Sequence, residues 1–261
     1  MKRSDAIYLV TKADDIGSND SANRAFVEGY EKGMLRNGVI MMTCGKAEEA
    51  ARRFRGETGF CMGLHLTMNA EWDRVKWGPV APRERVPTIV DENGWLYQTT
   101  QALHDAHPSI DEILLEMDAQ LDLARSYGLD IYFADVHMLF TWAVEGLKNA
   151  VREWCARRGL IYGMGDVPSL PWQAPGATAS ERLIAKLEGL QPGVYAVHLG
   201  HPAFDSAEMR ALGHPGYDGD TVAQEREEDR RALSDPMVLR YFEQHNIVPV
   251  TLRQAMDLLH G

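Results

Sequence analysis

The sequence predicts an α/β fold with a mainly parallel sheet, and three observations predict it. Short apolar runs alternate with longer amphipathic stretches, the pattern of repeated βα units. The 261 residues match the roughly 250 of a single α/β barrel. No repeat, low-complexity tract or linker rich in Pro, Gly or Ser divides the chain, so 1–261 reads as one domain. Taking the elements in order, apolar, β-branched-rich runs at 6–11, 39–43, 60–66, 131–136, 160–162, 193–199 and 247–251 are the strands. Helical periodicity occupies 21–32, 47–55, 109–127, 142–158, 179–189 and 221–245, the last broken near Asp235-Pro236, and 253–259 closes the chain. Seven strands fit a barrel short of the usual eight or an open doubly wound sheet; the count does not decide between them. Two connections are too long for simple loops, at about 68–108 and 200–219. Both leave the C-terminal ends of strands, where α/β folds place lids and binding loops.

Composition excludes several classes. Hydrophobic residues make up 45% and charged residues 25%, which is globular rather than disordered or fibrous. The formal net charge of −11 repels phosphate backbones and anionic lipid surfaces, and no basic patch offsets it, so nucleic acid and membrane partners are not expected. The densest charge run, 225–231, mixes both signs and reads as the solvated face of a helix. The cysteines, Cys44, Cys61 and Cys155, are odd in number, widely spaced and in no CxxC pair, which points to a reducing compartment. With the apolar run at 6–10 too short for a signal-peptide core and no run of about 18 apolar residues, a cytoplasmic protein is expected.

Ionisable residues gather where strands end. The first strand runs into Ala13-Asp14-Asp15-Ile16-Gly17, the third carries Gly63-Leu64-His65-Leu66-Thr67, the fourth leads into Asp135-Val136-His137, and the sixth delivers His198 and then His201-Pro202. Each group has an ordinary alternative. Asp14 and Asp15 suit turn and N-cap chemistry before the first helix, and His65 or His137 alone suits a hydrogen-bonded core histidine. Together they favour a site, because two adjacent carboxylates in a barrel mouth repel each other and a bound cation relieves that repulsion while using the imidazoles. One carboxylate and two histidines from separate strands leave positions open for water and substrate, a set compatible with Zn²⁺, Fe²⁺, Mg²⁺ or Mn²⁺. A second aspartate beside the ion supplies a base for a hydrolytic reaction.

At these residues the chain resembles a known family. YLVTKADDIG, beginning at Tyr8, resembles the opening strand of the YdjC-like carbohydrate deacetylases. GLHLT from Gly63, ADVHM from Ala134 and HPAF from His201 follow in that family's order and approximate spacing, and the tail from Arg230 to Leu252 resembles its closing helix and strand. The resemblance implies a distorted seven-stranded TIM-like (β/α) barrel related to the polysaccharide deacetylases. It implies one divalent ion, Mg or Zn, held by Asp15, His65 and His137, with Asp14 as general base and His201 as general acid. It implies hydrolysis of a C–N amide bond, removing N-acetyl groups from amino sugars or short oligosaccharides, with a second copy of the chain as the one further partner allowed. Lys12 stands where the family commonly has asparagine, and its histidine-rich run after the fourth strand is reduced here to His137-Met138-Leu139. His198 competes with His201 for the acid's role. Trp72, Trp77, Trp95 and Tyr97 of the long connection, with Trp172 on a separate loop, suit the lining of a sugar cleft, or else form the small core that holds that connection in place. Asp135 either orients a ligand, contacts substrate or faces solvent. A sugar isomerase would need more carboxylate ligands and a phosphohydrolase an Arg or Lys cluster, for which Lys12 alone is placed; a non-catalytic carbohydrate-binding barrel would not need Asp14 and His201.

Overall fold

The computed structural model describes residues 5–261. All seven expected strands form: β1 (Ile7–Ile16), β2 (Asn37–Ile40), β3 (Cys61–Leu66), β4 (Ile131–Val136), β5 (Ile161–Tyr162), β6 (Gly193–His198) and β7 (Ile247–Val250). Every pairing is parallel, in the order β5-β4-β3-β2-β1-β6, with β7 also on β1. β1 has three partners because its two halves differ. Ile7–Val10 pairs with β7, while Lys12–Ile16 pairs with β2. Asn37, fully buried, joins the three strands at that switch: its Nδ2 donates to the carbonyls of Thr11 (3.0 Å) and Val250 (3.0 Å), and its Oδ1 accepts from the Leu252 N–H (2.6 Å).

The sheet is an open curl and not a closed ring. β5 is two residues long and does not pair with β6; the segment 168–170 lies along the free edge of β6, through Leu170 N–H to Ala196 O (2.8 Å) and Ala196 N–H to Pro168 O (2.8 Å). The expected barrel is therefore an α/β half-barrel. Its inner face carries Tyr8, Val10, Val39, Cys61, Phe133, Val194, Ala196 and Val250, joined by Leu252 and Ala255 of the last helix. The alternate residues, such as Leu9, Leu64 and Val197, pack outward against the helices, as the period of two in a strand requires. Gly63 is small by necessity, since a Cβ there would lie 2.6 Å from the Phe133 ring.

Among the described residues ten helices surround the sheet: α1 (Asp20–Glu31), α2 (Ala47–Phe54), α3 (Thr100–Asp105), α4 (Ile110–Ser126), α5 (Leu147–Arg157), α6 (Ala179–Leu187), α7 (Ala207–Arg210), α8 (Gly219–Ala232), α9 (Pro236–Gln244) and α10 (Leu252–His260). Pro236 starts α9, with Asp235 accepting from the Met237 N–H, so the break expected near Asp235-Pro236 separates α8 from α9. The helix expected from 142 begins at Leu147, because His137–Trp142 forms a 3₁₀ turn with Met138 and Leu139 at positive φ. β2 begins two residues before the predicted 39–43 and ends three before it, and β1 continues through Asp14 and Asp15 instead of ending before them. The 68–108 connection is not structureless. It holds two 3₁₀ turns, an antiparallel bridge between Val90 and Leu96, and α3. α4 clasps it: Glu116 accepts from the N–H groups of Val80 (2.9 Å) and Ala81 (2.8 Å), and Gln120 makes a reciprocal pair with Thr67. No helix among the described residues is long and apolar enough to cross a membrane.

Candidate active site

The inward face changes character along each strand. Below, it is apolar; at the C-terminal ends the same face presents Lys12 and Asp14 from β1, His65 from β3, Asp135 from β4 and His198 from β6, each at even spacing from an inward apolar residue. Asp15 breaks that alternation and still reaches the site. The β1–β2 pairing runs Ala13 with Gly38 and then Ile16 with Ile40, so β1 carries one extra residue there, a β-bulge. Asp15 takes a φ of 74° within it. Consecutive carboxylates thereby serve one cavity. Gly17, at φ 89°, completes the turn, and its N–H donates to Asn23 Oδ1 (2.8 Å). His137 follows β4, and the two positive-φ residues after it turn the chain sharply away; Thr100 of α3 donates to the Met138 carbonyl (3.0 Å). Strain of this kind gathers at functional sites.

Asp15, His65 and His137 converge. His137 Nδ1 lies 3.3 Å from His65 Nε2, Asp15 Oδ1 lies 3.4 Å from His65 Nε2, and Asp15 Oδ1 and His137 Nδ1 are 3.7 Å apart. All three residues are buried. Asp15 Oδ1 has no aligned hydrogen-bond donor, while Oδ2 accepts from Arg226 (2.9 Å). These separations are those of donors that share an ion at roughly 2.0–2.2 Å. A buried carboxylate oxygen left without a donor among imidazole nitrogens fits a divalent cation, and the residues present therefore suit the one the sequence implies.

Asp14 makes different contacts. Lys12 Nζ lies 2.9 Å from its Oδ1 and also contacts Asp135, and His198 Nε2 lies 3.0 Å from its Oδ2. Asp135 thus pairs with Lys12 instead of facing solvent. Burial opposes ionisation of Asp14, but Lys12, His198 and His65 outweigh it and hold its pKa well below the usual carboxylate range. Burial likewise opposes the charge of Asp15, and His201, His65, Arg226 and His137 overcome it. Burial opposes the charge on Lys12, yet Asp14 and Asp135 raise its pKa. His201 sits with His198 and Asp14, its ring centroid 5.5 Å from that of His198, and its backbone N–H donates to Asp229 (2.9 Å). Burial pushes the His201 pKa down to about 4, against the pull of Asp15.

Two residues at the site were not anticipated. Arg226 lies within the charge run 225–231, yet α8 turns Val222, Ala223 and Arg226 inward, and the Arg226 guanidinium sits between Asp15 and the Trp72 ring, 5.6 Å away. The run is therefore not wholly a solvated face; the i, i+1, i+4 spacing of Val222, Ala223 and Arg226 was the available signal. Glu71, from the start of the 68–108 connection, has Oε2 2.9 Å from His137 Nε2. Burial opposes protonation of His137, and Glu71, with Asp15 and Asp14, raises its pKa nonetheless. Trp72 and Trp77 are buried, and Trp77 Nε1 donates to Asn69 O (2.8 Å), so both belong to the core of the connection. Trp172 is 66% exposed and stacks on His198 at 4.3 Å. Together with Lys186, His201 and Asp229 they line a cavity of about 210 Å³.

Comparison with known proteins gives a consistent picture. A carbohydrate deacetylase of Geobacillus stearothermophilus is 23% identical over 96% of this chain and 99% of its own. A chitooligosaccharide deacetylase of Serratia marcescens is 28% identical over 43% of this chain and 41% of its own. Among solved structures, a protein from Enterococcus faecalis described as a putative cellobiose-phosphate cleavage protein superimposes with a TM-score of 0.77 at 19% identity, covering 95% of this chain and 98% of that one, a likeness of fold. The family model described as YdjC-like protein matches residues 8–244, a span that holds Asp14, Asp15, His65, Glu71, His137, His198, His201 and Arg226 together, and the chain belongs to that family.

Proposed function

We propose that the protein is a metal-dependent carbohydrate deacetylase that hydrolyses the amide C–N bond of N-acetylated amino sugars or short oligosaccharides. The observation that carries this reading is a division of labour between adjacent aspartates. Asp15 has a free, buried oxygen facing two imidazole nitrogens, while Asp14 is withheld from that triangle by Lys12 and His198. Asp15, His65 and His137 would hold one divalent ion, Mg²⁺ or Zn²⁺, which supplies Lewis acidity toward water and the substrate carbonyl. Asp14 Oδ2 accepts the proton of the attacking water. Lys12 holds Asp14 ionised and, through Asp135, fixed in place. His201, clustered with Asp14, takes up the proton that Asp14 removes from the water and delivers it to the departing amine; the negative charge developing beside it during the reaction raises its proton affinity from the resting value. Trp172 offers a flat apolar face next to these groups, suited to a pyranose ring.

The similarity to proteins named carbohydrate deacetylases supports the substrate class. Lys12, the residue a phosphohydrolase reading depends on, is engaged by Asp14 and Asp135. The test is acetate release from a panel of N-acetylated mono- and oligosaccharides by metal-loaded protein, with chelated protein as control. Release that requires the ion is expected. No release from any member, with the ion bound, would overturn the reading.

A further inference from the structure

We infer that Glu71 is a positioning residue, which fixes the tautomer of His137 and aims its Nδ1 lone pair into the Asp15–His65–His137 triangle. The inference rests on the metal reading above and goes beyond it by assigning a role to a residue outside the ligand set.

The two imidazoles use opposite nitrogens. His65 turns Nε2 toward Asp15, whereas His137 turns Nδ1 inward and Nε2 outward. An imidazole serves as a ligand only through an unprotonated nitrogen, so the His137 proton must reside on Nε2. Glu71 Oε2, 2.9 Å from that nitrogen, accepts it, and a carboxylate is a stronger acceptor than the backbone carbonyls that often do this work. The backbone on either side of Glu71 is pinned. Its carbonyl accepts from Gln98 Nε2 (3.0 Å), Ala70 N–H donates to Tyr97 O (3.0 Å), and Asp73 N–H donates to Gly213 O (2.9 Å). The carboxylate is thus presented from a fixed support, and both partners are buried, so water does not replace it. Glu71 meets His137 at Nε2, the ring nitrogen opposite the one that enters the triangle. That geometry separates it from the ligands themselves.

The test is titration of the metal-free full-length protein with Co²⁺ alone, following visible absorption for coordination and calorimetry for affinity, with acetate release as a separate measurement. Wild-type protein should bind one Co²⁺. Glu71→Ala should bind it about 10- to 100-fold more weakly. Glu71→Gln, whose amide oxygen still accepts the Nε2 proton, should lie within a few-fold of wild type with an unchanged absorption spectrum. Glu71→Asp, which retracts the carboxylate by one methylene, should weaken binding as the alanine does. If Glu71→Ala does not fold, as judged by circular dichroism of the metal-free protein, the contrast between Glu71→Gln and Glu71→Asp decides. Wild-type affinity in Glu71→Ala or Glu71→Asp overturns the proposal. So does a changed spectrum in Glu71→Gln, which would make the carboxylate a ligand. Failure of the underlying metal reading is distinguishable, since wild-type protein would then take up Co²⁺ no better than Asp15→Asn.

Discussion

Neutralising Asp14 and neutralising Asp15 should produce different failures, although the two are chain neighbours. Asp15→Asn removes the anionic donor from the triangle and leaves Arg226 buried without its carboxylate partner, so the ion and part of the stability should be lost together. Asp14→Asn leaves the triangle intact, and Lys12 keeps Asp135. That variant should retain the ion by elemental analysis while turnover falls by roughly 10²-fold or more. Full occupancy in Asp15→Asn, or loss of the ion in Asp14→Asn, would exchange the two roles. The histidines of the sixth strand separate by leaving group. A proton donor matters most when an amine departs, so His201→Ala should abolish amide hydrolysis while sparing much of the activity toward an activated acetyl ester. His198→Ala, acting through its contact with Asp14, should depress both substrates alike. Selectivity appearing in His198→Ala would move the acid to that residue. Asp14, Asp15, His65, His137, His198 and His201 were all visible in the sequence because chemistry-bearing residues clustered where apolar runs ended. Glu71 was not, because its only signal is position, six residues beyond His65 in a connection with no periodicity to say which way a side chain turns.

At the scale of the elements, the strands were legible and their defects were not. Alternation along Tyr8, Val10, Lys12 and Asp14 follows from a period of two, but the bulge that brings Asp15 to the same cavity exists only in the pairing of β1 with β2. Arg226 was hidden for a related reason: a mixed charge run looks solvated until the tertiary neighbours of its helix are known. α4 holds a further buried charge whose consequence is measurable. Glu116, fully buried, ties the 68–108 connection to the helix, and burial pushes its pKa up to about 7 in spite of hydrogen bonds from Ala81, Val80 and Gln120. A carboxyl whose pKa is higher folded than unfolded binds more protons in the native state between the two values, so its contribution is fully present below pH 4.5 and is lost as pH rises through 7. On the order of 3 kcal/mol should be lost over that window. Urea unfolding in chelator at several pH values would show it: the stability of wild type relative to Glu116→Gln should fall between pH 4.5 and 7.5. A pH-independent difference would mean that Glu116 is ionised throughout.

For the whole molecule, the seven strands read from the sequence are present, but their number could not say whether the sheet closes. Closure is decided by β5, reduced to two residues, and by the segment 168–170 that occupies the edge of β6 where a closing strand would lie. A curl open on one side depends correspondingly more on the junctions that remain. The most exacting is the point where β1 exchanges β7 for β2 along one edge, since backbone groups of three segments end there away from water. Asn37 satisfies Thr11 O, Val250 O and Leu252 N–H with one amide, and no hydrocarbon side chain can do so. Asn37→Ala strands Val250 O and Leu252 N–H and leaves Thr11 O only the long bond from Arg36 N–H (3.4 Å); at roughly 1–3 kcal/mol for each unsatisfied buried group the variant should lose at least about 2 kcal/mol. Asn37→Asp is nearly isosteric and still accepts from Leu252, yet it turns a carboxylate oxygen toward two carbonyl oxygens. It should therefore be at least as unstable as the alanine variant at pH 7 and recover partly in acid, where the protonated carboxyl can donate to one carbonyl. Urea midpoints of the metal-free proteins at pH 7 and pH 5 would read this directly. Near-wild-type stability in Asn37→Ala would mean that the strand junction is held by the ladders alone.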